Sequence, residues 1–249
     1  MYANKINENN IFEKKLEKII IHGDPGCDGY NTENVAIFET ILKQPADLHI
    51  CVGDLVAFGA ENTFRQFIEI IENSAAAQVF CLPGNHDIIE YSKFLGRKNY
   101  YIKTNNLLLI LLDNSTRRFE EQTLKFLEDT LTIISDLQVL IFFHIPPENP
   151  CAPNSFNDND WQKLKSILDK FKSRINAIIC GHIHSAYTFV KDGYLIYITG
   201  GAGSLLDNAP NNMLPKNEYH YLEAIITAKN ELIFKSVAIR LTENKPDYK

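Results

Sequence analysis

Five times along the 249-residue chain, a short apolar run stops on a side chain able to bind a cation. KIIIHGD ends at Asp24 and HICVGD at Asp54. VFCLPGNHD ends at Asn85, His86 and Asp87. LIFFH ends at His144, and IICGHIH ends at His182 and His184. Short runs rich in Ile, Val and Phe read as buried strands. In an open α/β sheet the carboxyl ends of the strands gather at one crevice, so these side chains are expected to converge. Taken singly, a Gly-Asp after a strand is a turn, and a lone histidine is a satisfied polar residue. Five such ends together, most with glycine directly before the polar group, go beyond turn chemistry.

The remaining periodicity supports this arrangement. Strands are expected at 18–22, 48–52, 78–82, 107–112, 139–144, 177–180, 195–199, 222–227 and 232–237. Helices are expected at 32–43, capped by Asn31 or Thr32, and at 62–72, 120–131 and 159–171. Their aromatic and leucine stripes recur at helical spacing and read as core. Strand-helix alternation in the first half predicts a parallel sheet, followed by mixed pairing. There is no internal repeat and no linker. We read one domain over residues 1–249, with a polar arm at 1–16 and a charged tail at 243–249.

A net charge of -6 argues against a large nucleic-acid footprint. No run of 18 apolar residues is present to span a membrane. The opening MYANKINENN lacks the apolar centre of a signal peptide, which points to the cytoplasm. The five cysteines are odd in number and form no CxxC pair, so neither a disulfide framework nor a structural zinc site is expected. Cys51, Cys81 and Cys180 read as small buried hydrophobes.

Mixed carboxylate, imidazole and amide ligands suit a pair of divalent ions such as Mn, Fe, Zn or Ni. A bridging carboxylate holds two such ions about 3.5–4 Å apart, the spacing of two-metal phosphoester hydrolysis. GDPG, GDLVAFG, GNHD, FFHIPP and GHIH, in this order, resemble the signature blocks of the calcineurin-like metallophosphoesterases. TGGAGS and EYHYLEA also resemble bacterial members. The resemblance implies a four-layer α/β/β/α sandwich of two mixed sheets flanked by helices. It implies a dinuclear phosphohydrolase that cleaves a small phosphomonoester or phosphodiester by attack of a metal-bridging hydroxide. Carried over by position, Asp54 resembles the bridging carboxylate. Asn85, His144 and His182 resemble the other ligands of metal two, and Asp24 and His184 ligands of metal one. His86 resembles the catalytic histidine that steadies the phosphate or protonates the leaving oxygen. Asp87 reads as the group that orients a neighbour, or else as a turn aspartate.

The first block departs from the family's usual Asp-x-His and carries Gly26, as the purple acid phosphatase branch does. The tyrosine that compensates in that branch is Ala57 here. His22, Asp28 or Cys27 are the candidates to fill the gap; Phe58 has no donor. The flanking glycines are expected to let the backbone approach the metal and its phosphate. The alternative is a degenerate relative binding one metal or a nucleotide in a regulatory role, although His86 would then be unneeded. A Ser- or Cys-based esterase lacks its G-x-S-x-G elbow. A monoester, a cyclic nucleotide, another diester or a phosphoprotein would each suit this core. Selectivity is expected in loops 114–118, 148–160 and 205–216, where Arg117 and Arg118 are either phosphate clamps or solvated turn residues. His220 is expected to pack in the core.

Overall fold

The computed structural model describes residues 9–239 apart from Asn31, Ala75, Ala77, Cys151 and Lys216. The first half of the predicted arm, the whole charged tail, the Asn31 cap and Cys151 therefore lie outside the described residues. In chain order the elements are β1 (Asn10–Ile11), β2 (Lys18–His22), α1 (Glu33–Leu42), β3 (Leu48–Cys51), α2 (Glu61–Glu72), β4 (Val79–Cys81), α3 (Tyr91–Leu95), β5 (Tyr100–Lys103) and β6 (Leu107–Leu111). Then follow α4 (Glu121–Ile133), β7 (Gln138–Phe142), α5 (Asp158–Leu168), a 3-10 turn (Asp169–Arg174), β8 (Ile175–Cys180), β9 (Ala186–Lys191), β10 (Tyr194–Thr199), β11 (His220–Ile226) and β12 (Leu232–Ala238).

The strands form two mixed sheets, ordered β12-β11-β2-β3-β4 and β1-β5-β6-β7-β8-β10-β9. In the smaller sheet β2, β3 and β4 pair in parallel and β11 and β12 are antiparallel; in the larger, β6, β7, β8 and β10 pair in parallel, β5 and β9 are antiparallel to β6 and β10, and β1 is parallel to β5. Strand alternation explains the layering. Ile19, Ile21, Leu48 and Ile50 point inward to meet Leu109, Leu111, Leu140 and Phe142 between the sheets. Leu108, Ile110, Val139 and Ile141 point outward and lie beneath Leu127 and Leu131 of α4 and Trp161 and Leu164 of α5. On the opposite outer face, Cys51, Val79 and Cys81 lie beneath Phe38 of α1 and Phe64 and Phe67 of α2. Strands such as LLLIL are buried on both faces, so they read as continuous apolar runs. This is the predicted four-layer sandwich.

All nine predicted strands and all four predicted helices are present, with ends shifted by a few residues. The strands β1, β5 and β9 and the short α3 were not expected. Here β5 and β9 are held by antiparallel partners, a tertiary influence absent from their own composition. Among the described residues the one side-chain cap on a helix is on α5, where Asn157 Oδ1 accepts the Asp160 N–H at 3.0 Å.

Candidate metal centre

The strand ends do converge, but from two sheets rather than one. Asp24, Asp54 and Asn85 follow β2, β3 and β4 of the smaller sheet. His144, His182 and His184 follow β7 and β8 of the larger. Each sheet supplies half of the polar groups, and the site lies where the two carboxyl-terminal edges meet.

One ligand atom from each of Asp54, His144 and His182 lies within 4.8 Å of the others. The Asp54 Oδ1 to His144 Nε2 distance is 3.3 Å, and His182 Nδ1 lies 3.2 Å from His144 Nε2. Asn85 Oδ1 and His182 Nε2 are buried, with no hydrogen-bond partner among the described residues. A buried acceptor without a donor is costly unless something positive serves it. Asp24 and His184 form a second pair, with Oδ1 3.4 Å from Nε2. The donor set and the orphaned amide oxygen both fit divalent cations.

The imidazoles are oriented from behind. His144 Nδ1 faces Val52 O at 2.8 Å, His184 Nδ1 faces Leu205 O at 2.7 Å, and His86 Nδ1 faces Ala57 O at 2.6 Å. Donation from Nδ1–H leaves each Nε2 pointing into the site, as metal ligands require. His86 differs from the others in exposure, because about half of its side chain is open to solvent. Its Nε2 lies 3.9 Å from Asp54 Oδ2, and its backbone N–H donates to Asp54 Oδ1 at 3.0 Å.

Backbone strain concentrates at these positions. Among the described residues, seven that are not glycine have positive φ, and Asp24 (62°), Asp54 (48°), His182 (68°) and Arg117 (64°) are four of them. Each costs on the order of 1 kcal/mol and persists only where its surroundings enforce it. The glycines make room for side chains. A Cβ on Gly84 would overlap the Asp54 carboxylate, and one on Gly53 would overlap the His144 ring.

Charge and burial set the protonation states. Burial works against the Asp54 charge, but the His144 ring and the His86 N–H hold the carboxyl well below the usual range. Burial would lower His144 as well, yet Asp54 and Asp24 raise it to about 9. The Asp24 carboxylate raises His184 to about 9, also against burial. Burial and the neighbouring His144 lower His182 to about 3. Asp87 is fully buried and accepts N–H donors from Gly84 at 2.7 Å and from Leu55 and Val56 at 3.2 Å. It therefore ties the GNHD turn to the GDLV turn and is no surface aspartate. Burial, together with Asp54, pushes its carboxyl up to about 8.

None of the candidate substitutes for the missing ligand is placed in the cluster. His22 lies behind the smaller sheet against Phe38 and His49, at ring distances of 5.5 and 6.0 Å. Being on the same face of the strand as Asp24 is not enough, because Asp24 leaves the strand with positive φ and its side chain turns away. Asp28 accepts from the Tyr30 N–H within its own turn, and Cys27 is buried among apolar side chains. The space over Gly26 is filled by the Ser204 hydroxyl. Only its place in TGGAGS could have signalled Ser204. Asn114 was also missed: its Oδ1 accepts the His144 and Ile145 N–H groups at 3.1 Å. His220 packs in the core, with its ring beneath Gly201. Arg118 pairs with Glu120 at the surface.

Residues 17–186 match the model of the calcineurin-like phosphoesterases, and the chain belongs to that family. It is 28% identical to a protein from Pseudoalteromonas sp. (strain SM9913) named as a probable cyclic nucleotide phosphodiesterase, and the match spans 59% of each chain. Its fold is similar to that of a dimetal phosphatase from Danio rerio, with a TM-score of 0.67 and 14% identity over 89% of this chain and 96% of that one. It is also similar to a purple acid phosphatase from yellow lupin seeds, with a TM-score of 0.69 and 13% identity over 91% of this chain and 54% of that one. Among the described residues no helix is long and apolar enough to cross a membrane.

Proposed function

We propose that this chain is a dinuclear metal-dependent phosphohydrolase acting on a phosphomonoester or phosphodiester. The observation that carries this reading is the convergence of Asp54, His144 and His182 within 4.8 Å, beside the orphaned Asn85 oxygen. Asp54, Asn85, His144 and His182 would hold one ion, and Asp24, His184 and Asp54 the other. Two bound ions of Mn, Fe, Zn or Ni type would bind phosphate oxygens and supply a water of lowered pKa for in-line attack. The chain's own groups prepare that site. Asp54 is kept charged, and the Val52 and Leu205 carbonyls aim His144 and His184 inward. His86 offers an accessible Nε2 that steadies the phosphate or hands a proton to the leaving oxygen. Asp87 positions the two turns that carry Asp54, Asn85 and His86. The 28% identical relative named as a phosphodiesterase supports a diester substrate.

The test is to load the protein with Mn, desalt it and count ions per chain by elemental mass spectrometry, while assaying bis-p-nitrophenyl phosphate and p-nitrophenyl phosphate. Two ions and chelator-sensitive hydrolysis are expected. A chain that retains no ion, or stays fully active in strong chelator, overturns the reading. A single ion removes its dinuclear part.

A further inference from the structure

The loop that follows β10 joins the two side chains proposed to hold the second ion. Ala202 N–H donates to Gly23 O at 3.0 Å, and Ser204 N–H donates to Asp24 O at 2.9 Å. One residue on, Leu205 O faces His184 Nδ1 at 2.7 Å. Asp207 then grips the His184 backbone twice. Its Oδ2 accepts the His184 N–H at 2.9 Å, and its own N–H donates to His184 O at 3.0 Å. Ser204 is therefore bracketed by Asp24 and His184, whose Oδ1 and Nε2 lie 3.4 Å apart. The loops meet backbone to backbone. A Cβ on Gly203 would lie 2.6 Å from Pro25 O, and one on Gly200 would lie 2.8 Å from Asp24 Oδ2. The His220 ring packs against Gly201, and the His220 N–H donates to Gly201 O at 2.9 Å. The Ser204 side chain fills the gap at position 26. A Cβ there would overlap its hydroxyl, and Gly26 has a φ of 57°, so no side chain of residue 26 can serve. Among the described residues the Ser204 hydroxyl has no hydrogen-bond partner, so its lone pairs are open to a cation.

We infer that Ser204 is a further ligand of the ion proposed at Asp24 and His184, its Oγ supplying the oxygen that Gly26 cannot. The inference rests on the hydrolase reading above and completes the poorer half of that site. A serine hydroxyl is neutral and a weaker donor than an imidazole, so this half remains the looser of the two. It also becomes the harder one. Asp24, Asp54 and Ser204 offer three oxygens to the single imidazole of His184, whereas His144 and His182 bring two imidazoles to the other half. Oxygen-rich donor sets favour Mn over softer ions.

The experiment compares wild type, S204A and S204C as full chains. A chelator competition on Mn-loaded protein is expected to show two ions in wild type. In S204A the second should bind about tenfold more weakly, with the first unchanged. Alanine removes a hydroxyl that has no protein partner, so the melting temperature of the metal-free protein should not move. Cysteine puts a soft sulfur in the same place. S204C loaded with Cd should therefore gain an ultraviolet sulfur-to-cadmium charge-transfer band beyond any seen in wild type or S204A. A second ion held equally tightly by S204A overturns the inference. So does S204C without the added band, or metal-free S204A that melts well below wild type. Should S204C fail to fold, S204A decides. Where wild type keeps two ions and chelator-sensitive hydrolysis, those results leave the hydrolase reading standing. A wild type holding a single ion leaves Ser204 nothing to bind and also overturns the inference. A wild type with no ion and no hydrolysis sinks the hydrolase reading, and the inference falls with it.

Discussion

The two halves of the proposed metal centre are unequal. In one half Asp54, His144 and His182 bring one ligand-type atom each within 4.8 Å of the others, and Asn85 adds a buried oxygen. In the other, besides the shared Asp54, Asp24 and His184 pair at 3.4 Å among the described residues, and a serine hydroxyl covers Gly26 where a further ligand would stand. Both halves use the same devices: a strained strand end, a histidine aimed by a backbone carbonyl and a glycine that clears space. The difference lies in ligand number, and ligand number is what separates a tightly held ion from a readily lost one. The Asp54 half is therefore expected to fill first and the Asp24 half only at higher metal concentration.

The strongest way to break this comparison is to remove the group shared by both halves. Asp54→Asn should lose both ions and lower activity on the order of 10³-fold or more. Retention of both ions in that variant, measured by elemental mass spectrometry, would deny Asp54 its bridging place. His86→Ala should keep both ions while kcat drops roughly 10²-fold or more. Near wild-type turnover there would remove its assigned role. Asp24→Asn should sharpen the contrast by losing one ion per chain and keeping the other, counted after the same desalting.

Acidity offers a gentler probe of the same pair. In metal-free protein His144 and His184 are raised to about 9, against an unfolded value near 6.5. Their contribution to stability is thus complete below about pH 6.5 and lost as pH rises through 9. Metal must displace those protons, so affinity should climb with pH by up to about tenfold per unit for each proton released. A competition titration with a chelator at pH 6.5, 7.5 and 8.5 reads this directly, and a flat profile would refute it. The smallest effect concerns support rather than chemistry. Asp87→Ala leaves three buried N–H groups without their acceptor and should cost on the order of 3 kcal/mol in a denaturant titration.

Much of the architecture was legible because burial on both faces writes itself into composition. LLLIL and VLIF are continuous apolar runs, and strands of that kind sit in parallel interiors. The strands at β5 and β9 were not legible, since YYIK and AYTFVK become strands through their antiparallel partners. His22 shows the same limit within the site. Its strand parity agrees with that of Asp24, but one residue with positive φ turns Asp24 away and leaves His22 behind the sheet.

Residue type and order alone determined the donor set of this protein, because Asp, Asn and His after apolar runs carry their chemistry wherever the chain places them. The family resemblance followed from the same five blocks. Only the tertiary structure decided that those ends come from two sheets, that Asp87 lies buried beneath two turns, and that Arg117 meets Asn154 of a distant loop. These outcomes depend on how surfaces far apart in the chain pack together. Packing sums contacts over the whole molecule, and no local stretch of sequence records that sum.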